Sequence, residues 1–296
     1  MPGAPAFSLQ SPEAAPIPVL IAAPHGGRSY PRNVTGIMRK PADAALKLED
    51  RYVDLLAREI AAETGAGLLV AHAPRAMIDL NRAVEDMDWS MVRRGTLPFP
   101  RVPGHGGRRA RSGLGLVPRR LAGLGEIWTR QLEAGELEAR IEGIHRPYHE
   151  ALAAELRELR TRWGAALLID LHSMPPLGPR LGHEPGPQFV IGDRFGASCA
   201  GTISEAAFDH FGCEGRAVAH NRPYAGGYVL DRHAAPRRGI HAFQLEVCRS
   251  AYLDSHLAEK GDEFAATAQL IGRLVRGLAG EVAALGRGAG YAQAAE

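Results

Sequence analysis

The sequence predicts an α/β protein, a three-layer sandwich in which helices flank a mixed central sheet. Three observations lead there. Short apolar runs alternate with amphipathic helical stretches. Several of the runs end in polar clusters, as strands do where they open on a crevice at the carboxyl edge of a sheet. No Pro/Gly/Ser-rich linker divides the 296 residues into halves with cores of their own. Residues 17–285 are therefore read as one domain, between a flexible leader at 1–16 and a flexible Gly/Ala-rich tail at 286–296.

The elements follow in order. Ile17 to Ala23 is an apolar run and a buried strand, with Pro18 near its start, and it ends in Pro24-His25-Gly26-Gly27. Residues 42–64 carry Leu48, Val53, Leu56 and Ile60 at helical spacing with Glu49-Asp50 in the middle, and Gly65 and Gly67 close that helix. Two further β pieces, Leu68–Ala71 and Ala76–Leu80, follow, the second ending in Asp79-Leu80-Asn81-Arg82. Residues 93–125 are rich in Arg and Gly and read as a mobile loop over a site. From Gly135 to Trp163, apolar residues step by threes and fours, giving a helix kinked near Pro147. The run Leu167–Leu171 is the central strand, ending in Asp170-Leu171-His172-Ser173. Then come a strand at Phe189–Gly192, a helix near 197–211, a polar cluster at Asn221–Tyr228, a strand at Ile240–Val247 and a last helix over 257–285.

Composition removes several classes. Hydrophobic residues at 45% and charged residues at 23% are ordinary globular values, and a net charge of +2 favours neither acidic nor basic partners. The Arg-rich loop lacks interleaved aromatics, so no nucleic-acid partner is expected. No run is long and apolar enough for a membrane span, and the first residues lack a signal pattern. Cys199, Cys213 and Cys248 are odd in number and form no C-x-x-C, which points to reduced thiols in a cytoplasmic protein.

The chemistry lies in scattered groups. His25 and His172 each follow or close an apolar strand, so both can reach one crevice. Two histidines and a carboxylate meet the ligand count of a catalytic zinc site, with Asp50 or Glu49 supplying the acid. Glu246 closes the alternating run H-A-F-Q-L-E-V, an unusual place for an acid unless it is paired or takes a proton from water. Arg82 with Asn81 suits a carboxylate, and Arg75 suits a polarised carbonyl or an oxyanion. Each also has a plainer reading, as a solvated helix face for Glu49-Asp50, a salt bridge to Arg249 for Glu246, or a surface arginine. His145 and His149 stand at i and i+4, but Pro147 separates them and no acid completes a set. Ser173 as a nucleophile lacks the G-x-S-x-G elbow.

Taken together, the pieces A-P-H-G-G-R-S-Y-P (23–31), L-E-D-R-Y-V-D-L-L (48–56), M-I-D-L-N-R (77–82), S-G-L-G (112–115), H-R-P-Y-H (145–149), L-L-I-D-L-H-S-M-P (167–175), N-R-P-Y-A-G-G-Y (221–228) and H-A-F-Q-L-E-V (241–247) resemble the N-formylglutamate amidohydrolase (deformylase) family, in family order. The resemblance implies a fold similar to the zinc carboxypeptidases and aspartoacylases, with an eight-stranded mixed sheet. It also implies one zinc ion, held by His25, His172 and an acid, and water-driven cleavage of a small acidic N-acyl amino acid. It implies Glu246 as general base and acid, and Arg75, Asn81 and Arg82 as oxyanion and carboxylate binders, with Asn221 and Tyr224 as further substrate-binding candidates. Zinc carboxypeptidases carry H-x-x-E, whereas Arg28 stands three after His25, so Asp50 is chosen over Glu49 as the acidic ligand. The expected reaction is N-formyl-L-glutamate to formate and L-glutamate in histidine degradation. The alternatives are another N-acyl amino acid or small peptide, and a non-catalytic carboxylate binder.

Overall fold

The computed structural model describes residues 5–12, 15–93, 107–178 and 186–293. Along the chain the strands are β1 (Phe7–Gln10), β2 (Val19–Ala23), β3 (Gly67–Ala71), β4 (Arg120–Leu121), β5 (Gly125–Glu126), β6 (Ala166–Met174), β7 (Phe189–Gly192), β8 (Val218–His220) and β9 (Ile240–Cys248). The helices are α1 (Arg32–Thr35), α2 (Pro41–Leu48), α3 (Val53–Thr64), α4 (Arg108–Arg111), α5 (Ala134–Arg140), α6 (Arg146–Trp163), α7 (Gly201–Cys213), α8 (Tyr228–His233) and α9 (Phe264–Gln293). One seven-stranded sheet has the order β1-β3-β2-β6-β9-β7-β8, and β4-β5 form a separate hairpin. The expected mixed sheet flanked by helices is present, with seven strands among the described residues rather than eight.

Two compact units divide the chain. One comprises Leu9–Ala23, Asp50–Leu69 and Leu152–Glu296. In it β2 pairs parallel with β6, β6 parallel with β9, β9 antiparallel with β7, and β7 parallel with β8. Helix α3 packs on β2, β6 and α9, α7 on β8 and α9, and α8 on β9. Every residue of β6 is buried, so the strand is covered on both faces and its run Leu167–Leu168–Ile169 need not alternate. Each such aliphatic side chain contributes about 1.5–3 kcal/mol by leaving water. The β6–β9 register runs unbroken from Ala166↔Ile240 to Met174↔Cys248, setting Asp170 beside Gln244 and His172 beside Glu246. Because side chains repeat every two residues, these four polar groups share one face.

The other unit comprises Met1–Ser8, Pro24–Glu49 and Val70–Ala151. Its long helical run is broken where expected. A π-helical turn, Ile141–His145, joins α5 to α6 just before Pro147, whose missing N–H and bulky ring prevent a regular α turn there. Tyr148 beyond it is fully buried, edge-on to Phe7 at 5.7 Å.

Several expectations are corrected. The single helix over 42–64 is two helices, because Glu49 is extended and Tyr52 left-handed (φ 58°), so Glu49–Tyr52 forms a corner. Ala76–Leu80 is a turn and not a strand, with Met77 N donating to Pro74 O and Asp79 N to Leu116 O. The leader contains β1, and the tail continues α9 to Gln293. The last helix begins at Phe264 rather than 257. Within 93–125, the residues from 107 onward carry α4, β4 and β5, while 94–106 lie outside the described residues. No described helix is long and apolar enough to cross a membrane.

Gly192 ends β7 beneath the Tyr224–Gly226 loop, and a Cβ there would stand 2.7 Å from Ala225 C and Gly226 N. Gly192→Ala should cost about 1–3 kcal/mol as an overpacked backbone contact. Urea denaturation checks this, and an unchanged midpoint would show that the loop yields freely.

Candidate metal centre and active site

The first group of candidate residues grows from the ends of β6 and β9. Asp170 and His172 project from one face of β6, and the imidazole is held at both nitrogens, Nδ1 2.9 Å from Asp50 Oδ2 and Nε2 2.9 Å from Asp170 Oδ2. All three side chains are buried. Burial alone would lower the His172 pKa, but the Asp170 and Asp50 carboxylates outweigh it and hold the imidazole well above its usual value. Asp50 sits on the corner between α2 and α3, and its second oxygen faces Arg249 Nη2 at 3.9 Å. On β9, Gln244 Nε2 donates to Glu246 Oε1 at 2.7 Å, which fixes one oxygen of that buried carboxylate.

The second group lies on His25 and the turn after Pro74. Asp79, fully buried, accepts from His25 Nε2 (2.7 Å), Arg75 Nε (2.9 Å) and Asn81 N (2.8 Å). Burial would raise its pKa, but the Arg75, His25 and Arg82 charges hold it well below the usual carboxylate range. An ionised Asp79 makes Nε2 the protonated nitrogen of His25, whichever charge the ring carries. Arg82 is set by neighbours from two other sequence pieces. Its Nε donates to Leu114 O at 3.1 Å and its Nη1 to Asn81 O at 2.7 Å, while His145 Nε2 donates to Arg82 O at 2.9 Å. The S-G-L-G piece supplies that Leu114 carbonyl, with Gly113 left-handed (φ 91°). Burial lowers the Arg82 guanidinium from its ordinary value, Asp79 opposing this and Arg75 and Arg109 adding to it.

Asp50 and His172, in one unit, bring a carboxylate oxygen and an imidazole nitrogen to 2.9 Å, both side chains buried, and His25 is buried in the other unit. Two imidazoles and one carboxylate suit a catalytic zinc ion, which takes three protein ligands and keeps one open position. The second nitrogens suit it as well. His25 Nε2 and His172 Nε2 each rest on a carboxylate, the kind of partner that orients metal-bound histidines. These residue types could hold a metal ion, and the acid beside His172 is Asp50.

Other expected residues stand elsewhere. Asn221 is buried in a left-handed conformation (φ 58°), its Nδ2 donating to Asp193 Oδ1 at 2.8 Å and its Oδ1 accepting from Asp193 N at 3.0 Å. Its amide braces the loop that carries Tyr224. Tyr224 packs against Met174, Val190, Ala219 and Cys248. Ser173 Oγ accepts from Arg249 Nε at 3.2 Å. Sequence reasoning assigned no role to Asp79 on His25, Gln244 on Glu246 or Asp193 on Asn221. Gln244 was discoverable, since it stands two before Glu246 on one strand face. Asp79 was not, because the turn that aims it mimics a strand in its composition.

Residues 17–253 match the family model described as N-formylglutamate amidohydrolase. The chain is 30% identical over 272 residues to an N-formylglutamate deformylase of Pseudomonas aeruginosa, covering 88% of this chain and 92% of that protein. It is 31% identical over 241 residues to one of Pseudomonas putida, covering 80% and 82%. A crystal structure of N-formylglutamate amidohydrolase from Ralstonia eutropha superposes with a TM-score of 0.83 at 29% identity, over 94% of this chain and 98% of that one.

Asp193 offers a test of the bracing loop. Burial would raise its pKa, but bonds from Asn221, His220, the Gly196 amide and Ser204 hold it below the usual value. A lowered folded-state pKa contributes stability that is complete above the unfolded value of about 3.9 and is lost as pH falls through the folded one. Asp193→Asn should therefore flatten the loss of stability as pH falls below the unfolded value of about 3.9, read from urea midpoints, and an unaltered acid limb would contradict it.

Proposed function

From a chain that belongs to the N-formylglutamate amidohydrolase family, we propose hydrolysis of N-formyl-L-glutamate to formate and L-glutamate, dependent on one zinc ion held by His25, Asp50 and His172. The observation that carries this reading is the buried pairing of Asp50 with His172, with an acid, Glu246, at the register position beside His172. The ion, when bound, supplies a Lewis acid for the formyl oxygen and a lowered pKa for water.

The chain's own residues do the rest. Glu246 takes the proton of the attacking water, while Gln244 Nε2 holds its Oε1. As the carbon–oxygen bond forms and the carbon–nitrogen bond breaks, Glu246 returns that proton to the departing nitrogen, so the amine leaves neutral and the carboxylate is regenerated. Arg75, whose Nε is tied to Asp79, supplies its guanidinium charge to the developing oxyanion. Asn81 and Arg82 receive a substrate carboxylate, and the two anchors on Arg82 mean that its fork is already oriented before substrate arrives. Asp170 and Asp79 hold the two histidine rings, and Tyr224 lines the substrate side from a loop that Asn221 braces. Free Cys199, Cys213 and Cys248 support a reducing, cytoplasmic setting.

Glu246→Gln should lower kcat by about 10²–10⁴-fold while zinc content is retained. Chelator-stripped protein should regain N-formyl-L-glutamate hydrolysis on adding Zn²⁺, and no recovery with the substrate intact would sink the reading. Arg82→Ala should raise KM for N-formyl-L-glutamate more than it lowers kcat, seen in initial rates. A change confined to kcat would remove Arg82 from carboxylate binding.

A further inference from the structure

Asp50 has no regular element beneath it. It stands on the Glu49–Tyr52 corner, where α2 has ended and Tyr52 takes a left-handed conformation (φ 58°) that a residue with a Cβ rarely adopts. Within the corner, Val53 N donates to Asp50 O, and Leu55 and Leu56 N donate to Tyr52 O. These bonds begin α3 but do not decide where the Asp50 carboxylate points. A strained backbone of this kind persists only where its surroundings over-determine it.

The surroundings come from one short segment, the chain that leaves β9 after Cys248. Tyr252, fully buried, donates its hydroxyl to Arg51 O at 2.7 Å. Arg51 Nε donates to Ala258 O at 2.5 Å and its Nη2 to Glu259 Oε1 at 3.3 Å. Tyr52 OH donates to the other Glu259 oxygen at 2.7 Å. Both residues that follow Asp50 thus end on Glu259. The segment is itself folded to hold that acid in place, with Asp254 Oδ1 accepting from the Ala258 and Glu259 amides and Asp254 N donating to Glu259 O. Arg249 adds the last contacts, bonding Ser173 Oγ on β6 and facing Asp50 Oδ1.

We propose that the Arg249–Glu259 segment is a clamp that positions Asp50 for metal binding, with Tyr252 and Glu259 as positioning residues on the backbone and side chains of the corner. The strand that carries Glu246 runs straight into this clamp, so the proton-transferring acid and the acidic ligand are aligned by one continuous stretch of chain. The inference rests on the reading of Asp50 as a metal ligand.

Tyr252→Phe and Glu259→Gln each remove a contact to the corner, and neither residue is itself a proposed donor. Zinc affinity of the full chain, measured by competition with a chromophoric chelator, should fall about tenfold in each, as for residues that orient a ligand. Hydrogen exchange at the Val53–Leu56 amides of the metal-free protein should quicken, while the urea midpoint of Glu259→Gln, an exposed side chain, stays near that of the parent. Parental zinc affinity in both variants would overturn the clamp. If the parent takes up no zinc, the metal reading fails separately. Exchange then decides the clamp, unchanged rates at the corner overturning it and faster ones upholding it.

Discussion

The parallel pairing of β6 with β9 is the constraint on which the site depends. Its register is unbroken across nine positions, and it places His172 beside Glu246 and Asp170 beside Gln244 on a single face. A slip of one residue in β9 would turn Gln244 and Glu246 to the opposite side and set Phe243 and Leu245 in their place beside β6. The burial of both strands is what forbids that slip, because the apolar side chains that would be displaced are among the most enclosed in the chain. The hydrophobic core therefore sets the chemistry by fixing which face each strand presents at its end.

Around that pairing the polar groups are linked so that each orients another. Burying an isolated carboxylate is costly, and buried acids here are paired: Asp79 with Arg75 and His25, Asp170 and Asp50 with His172. The same pairs that offset burial also hold the imidazoles with Nε2 on a carboxylate. Motifs that look unrelated in the sequence have related tasks. S-G-L-G and H-R-P-Y-H both hold Arg82, one through the Leu114 carbonyl and the other through His145. N-R-P-Y-A-G-G-Y closes over Gly192, where a side chain would not fit.

The differences between expectation and structure concentrate where polar residues interrupt helix or strand composition. A continuous helix over 42–64 satisfied the apolar spacing of Leu48, Val53, Leu56 and Ile60, yet the chain breaks at Glu49–Tyr52 and is held there by Tyr252, Arg51 and Glu259. The same holds at Ala76–Leu80, where a β-like composition forms a turn tied to Leu116. In both, contacts with residues far along the chain outweigh local preference, and both places carry or adjoin candidate site residues.

What the sequence by itself determined was the α/β class, the buried strands at Ile17–Ala23, Leu167–Leu171 and Ile240–Val247, and the residue types that end them. Apolar runs must be buried, and strand period two assigns neighbours to faces, so His172 with Asp170 and Glu246 with Gln244 were readable from local order. Only the tertiary structure decided that Asp50, rather than its neighbour Glu49, turns its carboxylate to His172, and that Asp79 serves His25 while Asn221 serves Asp193. These choices depend on hydrogen bonds between residues separated by long stretches of chain, at positions where the backbone leaves regular structure and periodicity no longer says where a side chain points.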